Sequence, residues 1–141
     1  MVEELFASHE TIMGQFITLK PDQIKPSQDF LKKGTVDFIL ECYKNGVLDA
    51  LPPPPLVRRD PAKEGEYIAI DGHNLLAVHQ YGGTECEVYC VDSAEDFFPN
   101  PQSDPAITQR NKDLSDKFES CVDESRRVRT SFEFLIHTVI S

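Results

Sequence analysis

Apolar positions along the chain follow two rhythms. Phe16, Ile17 and Leu19 in QFITLKPDQIKP predict a first strand, ended by Pro21, with Ile24 anchoring a turn before Pro26. EYIAI predicts a second strand, and in CEVYCV the residues Cys86, Val88 and Cys90 recur at every other position, the period of a strand with one buried face. A helical period takes over in GTVDFILECYKNGV, where Val36, Ile39, Leu40, Tyr43 and Val47 share a face, Thr35 is the expected N-cap and Asn45-Gly46 the stop. A second helix is expected in DGHNLLAVHQYGG, with Leu75, Leu76, Val78 and His79 toward the core and Gly82-Gly83 at its end. Residues 1–14 carry scattered apolar positions and read as a short helix or a loose arm.

The remaining segments set the organisation. Pro52 to Pro55 favour polyproline II, either as an exposed ligand for an SH3-like partner or as a stiff lead-in delivering Leu56 and Val57 to a sheet; its place inside the domain favours the lead-in. SAEDFFPNPQSD is an acidic, proline-containing connector, and Asp104-Pro105 reads as an N-cap followed by a first helical residue. Beyond it Leu114, Phe118, Cys121, Ser125, Val128, Phe132, Leu135 and Val139 alternate spacings of four and three, which predicts one long helix. Its seam packs on the rest of the chain or pairs with a protein partner or a second copy, and Val128, Phe132, Leu135 and Val139 are the expected interface. Phe134 and Ile136 lie off that seam, so the last turns should be covered on more than one side. Strands and helices in this order imply an α+β fold: a small mixed sheet with packed helices over residues 15–92, a connector over 93–104 and a helical segment over 105–140.

Composition narrows the function classes. The net charge is −10, from 24 acidic against 14 basic residues, which disfavours nonspecific DNA or RNA binding. The cluster Arg126-Arg127-Val128-Arg129 sits among Asp123, Glu124 and Glu133 and is expected to form ion pairs on a helix surface. No apolar run approaches the roughly 20 residues needed to cross a bilayer, and no secretory pattern opens the chain, so a cytoplasmic location is expected. The four cysteines, Cys42, Cys86, Cys90 and Cys121, lack metal-knuckle spacing and read as small buried groups.

The candidate chemistry lies in IAIDGHNLL. An apolar strand runs into Asp71-Gly72-His73-Asn74 and then a helix, so backbone N–H groups and the helix dipole favour an anion there. A purely structural reading has Asp71 capping the helix, Gly72 permitting the turn and His73 satisfying nearby backbone. The ordered set Ile24 and Pro26, Gly46, Pro55-Leu56-Val57-Arg58, Ile70-Asp71-Gly72-His73 and Ala77 resembles the ParB N-terminal/sulfiredoxin-like superfamily over roughly residues 15–92.

That resemblance implies a turn that holds nucleotide phosphates, with Mg²⁺ as the accompanying metal, and Asp71-Gly72-His73 matches the serine-kinase form of the motif. Leu75 stands where an arginine would grip the phosphate. His73 occupies the position of the sulfiredoxin cysteine, and His73-Asn74-Leu75 replaces the Glu-Arg-Arg of the partition proteins. Asp71, Gly72, His73 and Asn74 are therefore the candidate ligand contacts, with Arg58 or Arg59 supplying charge.

Three classes follow. The first is a non-catalytic binding or regulatory module acting through protein contacts, with residual nucleotide or phosphate binding. The alternative is a nucleotide-dependent enzyme or switch for phosphoryl transfer, in which Asp71 helps to hold Mg²⁺ and Glu41 or Asp29 is the base. The third, a DNA-associated partition-like factor, lacks a basic recognition helix.

Overall fold

A computed structural model describes residues 9–140. Residues 1–8, part of the segment expected as a helix or arm, lie outside the described residues. The chain forms β1 (Gln15–Leu19), β2 (Ile24–Lys25), α1 (Lys33–Asn45), β3 (Leu56–Arg59), β4 (Tyr67–Asp71), α2 (His73–Gly82), β5 (Cys86–Cys90) and α3 (Pro105–Ile140), joined in part by short 3-10 turns. The five strands make one mixed sheet in the order β1-β5-β3-β4-β2. β1 is antiparallel to β5, β5 parallel to β3, β3 antiparallel to β4, and β4 parallel to β2. The fold is α+β, as the two rhythms predict.

Helices cover both sheet faces, so the inner strands bury residues on both sides. Leu56, Ile68 and Ile70 point toward Leu114, Phe118 and Cys121 of α3 and toward Phe97, which the connector supplies. On the opposite face Val57, Ala69, Cys86, Val88 and Cys90 meet Leu76 of α2. The alternation of Ile68 and Ile70 with Ala69 along β4 is the strand period dividing one run of sequence between two cores. All four cysteines are free and buried. Burial pushes the Cys86 thiol up to about 12 and the Cys121 thiol up to about 11, which makes both inert apolar fillers.

α3 has 36 residues, about 54 Å at ~1.5 Å per residue. Asp104 caps it, its carboxylate accepting from the Ala106 N–H at 2.9 Å, with Pro105 in the first helical position. The expected seam is buried from Leu114 to Phe132, Val128 and Phe132 included. The next buried residue is Ile136 in place of Leu135, and Leu135 and Val139 are half-buried. A straight helix drifts ~20° per heptad relative to a 3.5-residue repeat, so a step of four follows the packing surface where a step of three leaves it. Ile136 joins Phe132 and Ala77 in a third cluster, whereas Phe134, expected to be covered, is 73% exposed.

Two local expectations need correction. α1 begins at Lys33, so Thr35 lies inside the helix, and the N-cap Lys32 makes no side-chain cap bond. Gly46 ends that helix with φ 70°, which turns Val47 away from the helical face to 45% exposure. The arginine cluster on α3 does form surface pairs, Arg126 with Asp123 at 3.4 Å and Arg127 with Glu124 at 2.7 Å. Among the described residues no helix is long and apolar enough to cross a membrane.

Candidate functional site

β4 delivers Asp71 to the edge of the helical layer, and the chain reverses at Gly72, whose φ of 84° lies in the left-handed region. Leu56 pairs with Asp71, so Pro55 comes directly beside Gly72, and a Cβ added there would sit 2.8 Å from the Pro55 Cα. Glycine is required twice over, for backbone conformation and for space. α2 starts immediately afterwards with Gly72 in the capping position and no side-chain cap. Asp71 therefore does not cap the helix as expected: it still belongs to the strand, one residue too early. The first ladder bond runs from the Leu76 N–H to the Gly72 carbonyl at 3.1 Å. The N–H groups of His73, Asn74 and Leu75 precede it, where a helix presents its positive end.

Over this turn lies a cavity of about 400 Å³. Asp71 to Leu75 form its floor, Phe30, Pro52 and Pro53 an apolar wall, and Lys32, Arg110 and Lys117 bring positive charge. Asp71 is the one carboxylate among the described lining residues. Three cations against one carboxylate make the described lining cationic in a strongly acidic chain. A larger groove of about 640 Å³ beside Tyr81, Phe134 and His137 mixes Lys25 and Arg129 with Asp22 and Glu133 and has no comparable convergence of one sign. The smaller cavity is therefore the candidate site.

Two floor residues, His73 and Asn74, are fixed by long-range hydrogen bonds. The Ser27 N–H donates to His73 Nε2 at 2.9 Å, so the neutral ring carries its proton on Nδ1. His73 Nδ1 is buried and has no hydrogen-bond partner among the described residues. Burial, reinforced by the Lys117 charge, lowers the His73 pKa to about 3, so the ring stays neutral. Its edge packs on the Phe132 ring of α3, centroids 5.8 Å apart. The Asn74 side-chain oxygen accepts from the Lys32 N–H at 2.9 Å, which ties the approach to α1 onto the start of α2.

The expected charge donors lie elsewhere. Arg58 donates to the Phe118 carbonyl at 2.8 Å and lies over the Phe118 ring at 4.0 Å, while Arg59 pairs with Asp92. Neither lines the cavity. The contact with α3 captures Arg58, and the exposed end of β3 sends Arg59 toward the segment after β5. Glu41 accepts from the Asn45 side chain at 3.2 Å on the exposed face of α1, and Asp29 lies 3.6 Å from Arg127, so neither proposed base reaches the cavity lining.

Arg110 and Lys117 replace the Arg58–Arg59 pair. They are seven residues apart on α3, each one position before a buried residue of that helix, Asn111 and Phe118, so both fall on the same flank of its buried face. That spacing was the available sequence signal. His9, which also lines the cavity, had none.

Among the described residues no group of three His, Cys, Asp or Glu side chains is placed to hold a metal ion. A divalent cation at Asp71 would draw its remaining ligands from phosphate oxygens and water.

No family model and no curated protein matches the chain. Among solved structures, a free serine kinase variant in complex with AMP aligns at 22% identity and a TM-score of 0.44, covering 63% of this chain and 35% of that one. A free serine kinase variant in complex with ADP aligns at 20% identity and a TM-score of 0.44, covering 63% and 36%. A conserved hypothetical protein from Pyrococcus furiosus aligns at 24% identity and a TM-score of 0.43, covering 61% and 34%. The chain spans about a third of the length of each of these structures.

Proposed function

We propose that the cavity at the start of α2 binds the phosphate end of a small anionic ligand, a nucleotide in the first instance, and that this chain is a ligand-binding module. The observation that carries the reading is the convergence of Lys32, Arg110 and Lys117 on the open N-terminus of α2. Backbone N–H groups and cations together form an anion site, and the apolar wall of Phe30, Pro52 and Pro53 offers a surface for an attached ring. The resemblance to the ParB N-terminal/sulfiredoxin-like superfamily points to a nucleotide. Calorimetric titration with ATP, ADP, CTP and inorganic pyrophosphate, with and without Mg²⁺, tests it. Saturable heat that Arg110→Ala and Lys117→Ala diminish supports the site; no heat from any of the four removes it.

A second reading, phosphoryl transfer, is favoured by the position of Asp71, which lines the same cavity as the cations. In that reading Asp71 would help to hold Mg²⁺, which would neutralise charge on the transferred phosphate. Asp71→Asn would then abolish release of labelled phosphate from ATP while nucleotide binding survives. Equal turnover in the variant and the parent excludes this role.

A further inference from the structure

Arg110 reaches the cavity from a long flexible stem, and such a side chain binds an anion well only when its planar head is already oriented. Two partners orient it. The Arg110 Nη2 group donates to His9 Nδ1 at 3.2 Å, and Nη1 donates to the Asn111 side-chain oxygen at 3.3 Å. Asn111 is buried and its amide nitrogen donates to Thr11 Oγ1 at 3.2 Å.

His9 is held just as firmly. Its Nε2 lies 2.9 Å from the Pro54 carbonyl, which can only accept, so the ring proton sits on Nε2 and Nδ1 is free to accept from the guanidinium. The imidazole stacks on Tyr89, centroids 5.7 Å apart and planes within 19°. Tyr89 in turn donates through its hydroxyl to the Ile12 carbonyl at 2.5 Å and through its N–H to the Pro55 carbonyl at 2.9 Å.

The choice of partner has an electrostatic consequence. Arginines in proteins are commonly fixed by carboxylates, which orient the head and cancel its charge. A neutral imidazole orients it and leaves the charge available for an incoming anion. We infer that His9 is a positioning residue for this site: it presets the Arg110 guanidinium toward the cavity through its Nδ1 lone pair without neutralising it. This rests on the anion-binding reading above and adds a residue from outside the turn and outside α3. Burial and the Arg110 charge lower the His9 pKa, in keeping with a ring that stays neutral.

The test is titration of the full chain with inorganic pyrophosphate, with thermal melting of every variant in parallel. His9→Ala is expected to weaken binding about tenfold, as for loss of one charged hydrogen bond. His9→Gln, which can donate to Pro54 and accept from Arg110, should restore affinity to within about threefold of the parent. In an Arg110→Ala background His9→Ala should change nothing further, since its effect runs through the missing guanidinium. Should His9→Ala lose its melting transition, His9→Asn, too short to bridge Pro54 and Arg110, carries the same expectation. Parent-like affinity in the folded variant, or a loss that adds to that of Arg110→Ala, overturns the role of His9 and leaves the site standing. A parent chain that does not bind pyrophosphate overturns the site and this inference together.

Discussion

The Ser27 backbone N–H and His73 Nε2, 46 residues apart in sequence, form a 2.9 Å hydrogen bond that needs a neutral imidazole. With its folded pKa lowered to about 3 against 6.5 for a free side chain, His73 takes up a proton in the unfolded chain before it does in the folded one. The unfolded state therefore binds more protons across that interval, and stability falls as pH drops from about 6.5 toward 3. His9 and His79, also lowered by burial, act in the same direction. Denaturant midpoints measured from pH 8 to 4 should decline, and His73→Gln should flatten much of that slope, by an amount on the order of a few kcal/mol. An unchanged slope in the variant contradicts the buried neutral ring.

Gly72→Ala combines a left-handed backbone with a collision at the Pro55 Cα. Together these should cost about 2 kcal/mol or more, read as a lowered thermal midpoint. Gly34→Ala is the control: it is helical, with nothing within 4 Å of an added Cβ, and should stabilise by up to ~1 kcal/mol.

Arginines at two positions should separate binding from folding. Arg110→Ala is expected to weaken pyrophosphate binding about ten- to a hundredfold and to reduce its dependence on salt. Arg58→Ala, which loses a bond to the Phe118 carbonyl and a ring contact, should lower the melting temperature and leave affinity within about twofold. The reverse pattern in calorimetry would return the charge to β3.

Phe132 and Phe134, two residues apart on α3, should behave oppositely. Phe132→Ala empties a buried site against Ala77 and Ile136 and should cost about 3–5 kcal/mol in chemical denaturation. Phe134→Ala, at an exposed position, should stay within about 0.5 kcal/mol.

Much of this molecule is written locally. The alternation of Cys86, Val88 and Cys90, the Asn45-Gly46 stop, the Asp104-Pro105 start and most of the α3 seam all follow from periods and caps that need no tertiary knowledge. Asp71 to Asn74, which line the candidate cavity, could equally be grouped from the chain, because they are contiguous. The charge of that cavity could not. Arg58 and Arg59 lie near the turn in sequence and are drawn off by Phe118 and Asp92, whereas Arg110 and Lys117 come from a helix that only the folded core brings across the cavity. His9 is further from reach still, since its role depends on a backbone carbonyl at Pro54 and a side chain 101 residues away. Contacts made by a backbone carbonyl leave no mark in composition.

Leu114, Phe118 and Cys121 close the core over Leu56, Ile68 and Ile70. During synthesis the strands leave the ribosome well before those three residues do, and at about 5–20 residues per second that face of the sheet stays wet for seconds. The nascent chain thus passes through an interval in which its central strands are present and one apolar face has Phe97 but not yet α3 over it. Completion of this core waits on the middle of α3, and a chain cut short before Leu114 would leave that face without its helical cover.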